Sequence, residues 1–227
     1  MIIGGHLKSS FIDYPDKVST VFFTRGCNFR CPYCHNSELV LNASGDTESS
    51  YIQNFLDKKK KYLDGIVVSG GEPTIHKDLP EFLAWLKTWG LPLKLDTNGT
   101  NPKMLRQLIG KGLVDYVAMD IKAPLRKYGE VAAAIVSIQD IQESEAILMD
   151  SGIGYEFRTT VAKELLSLAD IRKIGQEIHG AKRYALQRFK DNEEVLAGVG
   201  KFTSYAPEEL NLLQEELGEH IETVLIR

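Results

Sequence analysis

Short runs of β-branched and aromatic residues alternate along the chain with longer stretches of helical spacing. Six runs read as buried strands: VSTVFFT at 18–24, GIVVS at 65–69, PLKLDT at 92–97, DYVAMDI at 115–121, YEFRTTV at 155–161 and RYALQRF at 183–189. Between them, apolar residues recur at intervals of three and four. Phe82, Trp85, Leu86 and Trp89 lead to Gly90. Asn101 and Pro102 supply an N-cap and a first-turn proline, Leu105, Leu108 and Ile109 the apolar face, and Gly112 the stop. Ile138, Ile141, Ala146 and Met149 lead to Gly152, and Leu168, Ile171, Ile174 and Ile178 lead to Gly180. A last helix is predicted near 207–218, ahead of an apolar end at 221–226. Lys58 to Lys61 read as the solvated face of a further helix.

Six strand-then-helix units predict an α/β fold built on a parallel sheet with right-handed crossovers, either doubly wound or barrel-like. No proline- or serine-rich linker divides the sequence, which predicts one domain over 1–227, with a cysteine loop at 25–36 and a C-terminal helix and apolar end at about 205–227. In both architectures the site lies at the C-terminal ends of the strands. The chemically unusual residues follow the strands in turn: the cysteine loop, GGEP (70–73), DTNG (96–99), DIK (120–122), Arg158 with Thr159 and Thr160, and Gln187 with Arg188. One end of the sheet therefore collects them all.

Charge and composition narrow the field. The 227 residues carry 27 basic and 31 acidic side chains, a net charge of −4, which opposes nucleic-acid binding driven by overall charge. The N-terminal MIIGGHLKSS lacks the basic-then-apolar order of an export signal, and no apolar run approaches the roughly 20 residues that span a bilayer. A cytoplasmic protein with no membrane partner is expected. Three cysteines make a poor disulfide framework.

All three lie in CNFRCPYC, as Cys27, Cys31 and Cys34. Cys31-Pro32-Tyr33-Cys34 has the form of a dithiol redox centre, and Cys31 to His35 that of a haem-attachment string, but either leaves Cys27 idle. Cys27, Cys31, Cys34 and His35 could supply a Cys₃His zinc site, although neighbouring side chains such as Cys34 and His35 diverge. Three thiolates on a short loop can also hold three irons of a 4Fe-4S cube, leaving the fourth iron open to a chelating substrate.

C-x₃-C-x₂-C after the first of these strands, with Tyr33 before its last cysteine, followed by GGEP after the second, resembles the radical S-adenosylmethionine superfamily. SFIDYPDKVSTVFFTRGCNFRCPYCHN, SGGEPT, LDTNG, MDIKAP, YEFRTTV and YALQRF extend the likeness to the activating enzymes of glycyl-radical enzymes, and among them to the anaerobic ribonucleoside-triphosphate reductase activating proteins. The resemblance implies a partial (β/α)₆ barrel, a 4Fe-4S cluster on Cys27, Cys31 and Cys34, and S-adenosylmethionine chelated at its open iron. It also implies Tyr33 and His35 lining that cofactor, and Gly70, Gly71 and Glu72 at its amino end. Asp96, Thr97 and Asp120 match positions that bind the cofactor or a monovalent cation, and Lys122 matches a position facing its ribose or carboxylate. Arg158, mid-strand, calls for a site anion or a structural carboxylate to offset a buried cation, and the site anion is expected. Gln187 stands where some relatives place a histidine. The implied partners are a glycyl-radical enzyme and a flavodoxin or ferredoxin as electron donor. A small-molecule radical enzyme resembling the 7-carboxy-7-deazaguanine synthases and a non-catalytic zinc-stabilised binding module remain the alternatives.

Overall fold

The computed structural model describes residues 1–41 and 45–227. Its sheet has eight strands: β1 (Ile3–Ser10), β2 (Ser19–Thr24), β3 (Gly65–Gly70), β4 (Leu93–Thr97), β5 (Tyr116–Asp120), β6 (Gly154–Val161), β7 (Arg183–Arg188) and β8 (Thr223–Ile226). Spatial order equals chain order, with β1 antiparallel to β2 and every later pair parallel. A doubly wound sheet reverses direction at a switch point. This one never does, and the ends β1 and β8 do not pair with each other among the described residues. Of the two architectures the sequence allows, the structure takes the open, barrel-like one.

All six predicted strands form. The apolar end at 221–226 becomes a seventh parallel strand, β8, beside β7. β1 has no counterpart among the predicted elements, because IGGHLKSS carries two glycines and little alternation. It is recruited by pairing, with His6 opposite Phe22 and Leu7 opposite Val21.

The helices are α1 (Ser37–Val40), α2 (Ser49–Lys59), α3 (Leu79–Lys87), α4 (Pro102–Gly110), α5 (Tyr128–Ala132), α6 (Ile138–Asp150), α7 (Leu168–Glu177) and α8 (Pro207–Leu217). Lys58 and Lys59 end α2, and the whole lysine run is exposed. Asn101 caps α4 by accepting from the Met104 N–H at 3.1 Å, and past that helix Gly112 takes φ +65°, where a side chain would be strained. α3 is shorter than its apolar spacing suggests: it ends at Lys87, and Trp89 continues in a turn.

Strand residues alternate between two environments. Leu93, Leu95, Val117, Met119, Tyr155 and Phe157 point into the main core, where Leu83, Leu105, Leu108, Ile141 and Ile171 of the helices meet them. The other face holds a small separate cluster of Tyr14, Val21 and Val67, with Phe23 and Tyr116 against it. Further toward the strand ends that face turns polar, with Lys94 and Asp96 on β4, Asp120 on β5, and Glu156 and Arg158 on β6.

A half-buried histidine lies outside this polar face. His6 stacks on Phe22 at 4.6 Å between ring centroids, with Tyr51 and Phe55 edge-on, and Nε2 is 2.7 Å from Thr20 Oγ1. Burial, helped by Lys8, pushes its pKa down to about 4 from 6.5. The unfolded chain therefore takes up a proton that the folded chain refuses, and stability falls as pH drops from about 6.5 to about 4. After allowance for partial exposure the loss is on the order of 1–2 kcal/mol. Urea-denaturation midpoints across that window should fall less steeply for His6→Gln than for the native chain.

Candidate active site on the concave face

At the C-terminal ends of the parallel strands the polar face opens into a cavity of about 330 Å³. Cys27, Cys31, Tyr33, Cys34, His35, Gly70, Gly71, Glu72, Asp96, Thr97, Asp120, Lys122, Arg158 and Gln187 all line it. Every site residue singled out from the sequence is thus brought together. Asp13 and Ser69 line it as well and were not singled out; Asn98 and Thr160, named only within their strand-end runs and given no role, line it too, whereas Thr159 and Arg188 do not. Asn98 had a usable signal, an Asn-Gly turn directly after a strand.

The cysteine loop is tied down along its length by backbone bonds. Gly71 N–H donates to Thr24 O at 2.9 Å and Glu72 N–H to Gly26 O at 2.8 Å. Arg30 N–H donates to Ala132 O at the end of α5, and Leu196 and Ala197 N–H donate to Cys34 and Pro32 carbonyls. Between these, Asn98 Nδ2 donates to Asn28 Oδ1, and Asn28 Nδ2 donates to Thr100 Oγ1, both at 2.8 Å. The loop is held by β3, β4 and segments beyond α5 and β7, elements far apart in sequence.

This contact explains the glycine pair. A Cβ on Gly71 would stand 1.9 Å from Gly26 O, and one on Gly70, at φ +124°, would stand 2.3 Å from Thr24 N. The close approach these glycines permit is to backbone, that of the β2 end for Gly70 and that of the cysteine loop itself for Gly71. Glu72 is 1% exposed, and its carboxylate accepts from Thr74 N–H, Thr74 Oγ1, Thr97 Oγ1 and Asn98 N–H at 2.5–3.0 Å. In this structure it is a brace between two strand ends, filled by protein donors. Thr97, which also accepts from Gly99 N–H at 3.1 Å, belongs to the same brace.

Deeper in the cavity, charges alternate across three strands. Lys94 Nζ donates to Asp96 Oδ1, and Arg158 Nη1 reaches Asp96 Oδ2 at 3.3 Å. Arg158 Nε donates to Asp120 Oδ1 at 2.8 Å, and Lys122 Nζ to Asp120 Oδ2 at 3.0 Å. Of the site anion and the structural carboxylate that the sequence left open for Arg158, the structure shows carboxylates, those of Asp96 and Asp120. Burial works to raise the pKa of both acids, but their cations outweigh it. Arg158 and Lys94 leave Asp96 below the usual carboxylate range, and Arg158 and Lys122 bring Asp120 to about 2. Burial would lower Arg158 and Lys122, yet the carboxylates hold both above their ordinary values.

The donor set fits an iron–sulfur cluster. Three thiols line one cavity, and burial pushes Cys27 up to about 12 and Cys31 upward, so iron binding there displaces protons. The hydroxyl of buried Tyr33, in the same wall, has no hydrogen-bond partner among the described residues. The Cys₃His arrangement fits less well, because His35 directs Nε2 to the Lys190 carbonyl and packs its ring 5.2 Å from Phe189. Among the described residues no three His, Cys, Asp or Glu side chains meet as ligands of one ion.

The family model described as the radical SAM superfamily matches residues 21–164, which include the cysteine loop, GGEP, DTNG and DIK. Over the whole chain, and 95% of the relative's length, the sequence is 34% identical to a Methanocaldococcus jannaschii protein named "Putative glycyl-radical enzyme activating enzyme". The chain belongs to the radical SAM superfamily, in the branch of the glycyl-radical enzyme activating enzymes. Membership carries with it a 4Fe-4S cluster and S-adenosylmethionine. Similarity to the 7-carboxy-7-deazaguanine synthase of Aquifex aeolicus is 37% but covers only 34% of either chain. Among solved structures, Streptococcus suis SuiB bound to its precursor peptide SuiA superimposes with a TM-score of 0.72 at 13% identity, over 91% of this chain and 48% of SuiB. The chain thus spans about half of SuiB's length, and the likeness is one of fold. No helix among the described residues is long and apolar enough to cross a membrane.

Replacement of Gly71 by alanine drives a methyl group into backbone, which cannot rotate away. It should cost on the order of 1–3 kcal/mol or more. Thermal melts should shift down, and iron and acid-labile sulfide per chain should fall after anaerobic reconstitution. Gly90→Ala, with nothing within 4 Å of the added carbon, separates this from a general glycine effect: it should melt lower through its positive φ alone and keep its iron.

Proposed function

We propose that this radical SAM enzyme generates a glycyl radical on a protein partner, and that the partner is an anaerobic ribonucleoside-triphosphate reductase. The observation that carries the reading is the placement of three thiols on a loop locked to the GGE and DTNG turns, beside a polar cavity, in a chain similar end to end to a named glycyl-radical activating enzyme. Cys27, Cys31 and Cys34 would hold the cluster. A cluster bound there, once reduced by one electron from a donor, would supply the chemistry of reductive S-adenosylmethionine cleavage and, through it, hydrogen-atom removal from a glycine Cα.

The protein's own part is binding, orientation and exclusion of water. Tyr33 and Phe29 form the apolar wall beside the thiols, both buried. Lys122, its head offset by Asp120 yet still in the cavity wall, stands where a carboxylate or ribose oxygen of the ligand can meet it. Gln187 and Thr160 face each other in register across β6 and β7 and can donate to the ligand's polar edge. His35, linked to the 189–200 segment through Lys190, stands at the same wall. No residue need act as acid or base, since hydrogen leaves as an atom. A flavodoxin or ferredoxin suits the one-electron supply, and a cytoplasmic setting keeps the three thiols reduced.

The partner is tested by anaerobic incubation with reductant, S-adenosylmethionine and the candidate reductase. The expected outcome is a glycyl-radical signal in electron paramagnetic resonance, lost to background when Cys27, Cys31 or Cys34 is replaced by alanine. If 5′-deoxyadenosine accumulates only with a small deazapurine precursor, the small-molecule reading replaces this one. One zinc and no acid-labile sulfide per chain after anaerobic purification would support the binding module instead.

A further inference from the structure

The carboxylates that a monovalent cation would need are already occupied by the protein. Asp96 Oδ1 takes Lys94 Nζ, and Asp96 Oδ2 takes Ser69 Oγ at 3.0 Å and Arg158 at 3.3 Å. Asp120 gives one oxygen to Arg158 and the other to Lys122. Thr97 Oγ1, the remaining candidate ligand, donates to Glu72. Three cations thus face two carboxylates, and a further positive ion would enter a group that already carries one excess positive charge.

We infer that the ammonium of Lys94 is a built-in replacement for that ion, so that S-adenosylmethionine binding here is independent of sodium or potassium. Lys94 stands two residues before Asp96 on β4, hence on the same face, and none of it is exposed. An ammonium is a compact point charge with several donors, the side-chain group nearest in character to a small cation. Two strands away, Glu156 of β6 stands in register with Asp96 through Ala118 of β5, and its carboxylate is in turn held by Arg227 at 2.8 and 3.1 Å. Burial, with Arg158 beside it, leaves the Lys94 pKa below its ordinary value against the opposing pull of Asp96 and Glu156. The bond to Asp96 cannot be lost to solvent or exchanged with salt, as a bound ion can. Lys94 acts through Asp96 and Arg158 and is a positioning residue.

The inference concerns the cofactor cavity alone and stands or falls separately from the identity of the partner. Its test measures equilibrium binding of S-adenosylmethionine to the cluster-reconstituted protein in sodium, potassium or tetramethylammonium chloride at matched ionic strength, with no partner present. The native chain should bind within about twofold in all three salts, whereas an obligatory ion makes affinity fall about tenfold or more in tetramethylammonium and overturns the inference. Lys94→Met should bind weakly in tetramethylammonium and recover with potassium or sodium. Equal affinity of this variant in every salt, at the native level, overturns the role given to Lys94. Lys94→Arg, which keeps the charge, should stay independent of salt; a new dependence in that variant counts against the inference. If Lys94→Met does not fold, the native and Lys94→Arg measurements still decide.

Discussion

The concave face of this sheet is polar because it must face a charged ligand, and the structure depends on how that polarity is made tolerable. A sheet of parallel strands is normally buried on both sides and reads as continuous apolar sequence. Here β4 and β6 alternate, as LKLD and YEFR, with a charged residue at every second position before their threonine ends. Lys94, Asp96, Glu156 and Arg158 are all buried. No one of them could be placed there alone, because an unpaired buried charge costs several kcal/mol. Their alternation in sign along β4 and β6, with Asp120 of β5 between them, is the compensation, and the parallel register, with Asp120 opposite Arg158, brings the signs together.

That ladder also fixes the shape of the cavity above it. A cation with two carboxylate partners, as Arg158 has, loses both if β5 and β6 slip by one residue, since every side chain would change face. The register that keeps the charges paired is the one that puts DTNG, DIK and Gln187 at a common level. The cysteine loop rests on this platform through Glu72 and Asn98, which carry the order of β3 and β4 into the loop by way of Gly26 and Asn28. Fold stability and cofactor placement are therefore one problem, solved by the same hydrogen bonds.

The comparison of sequence and structure separates two kinds of information. Six of the seven strands of the parallel sheet were legible because their burial leaves short runs of β-branched and aromatic residues between helical stretches. β1 was not, because its only reason to be a strand is the edge that β2 offers it. The membership of the site was legible from residue type and from its place after each strand. The tasks inside it were less so: Gly70, Gly71, Glu72 and Thr97 read as ligand contacts, yet in the fold their bonds run to the cysteine loop and to one another. Lys94 did not stand out at all, since a lysine in a strand reads as a solvated edge until its strand is known to be central.

By itself the sequence determined that three thiols on one loop, with no fourth in the chain, lie at the end of an α/β sheet together with the acidic, basic and glycine-rich turns that follow. Those facts are local, a matter of residue type and spacing. Only the tertiary structure decided that the sheet winds one way and stays open, and that Arg158 is neutralised by Asp96 and Asp120. The same holds for the Gly-Gly turn, which seats against the cysteine loop's own backbone. Such partners lie many residues apart, 62 in the case of Arg158 and Asp96, and strand register alone brings them within bonding distance.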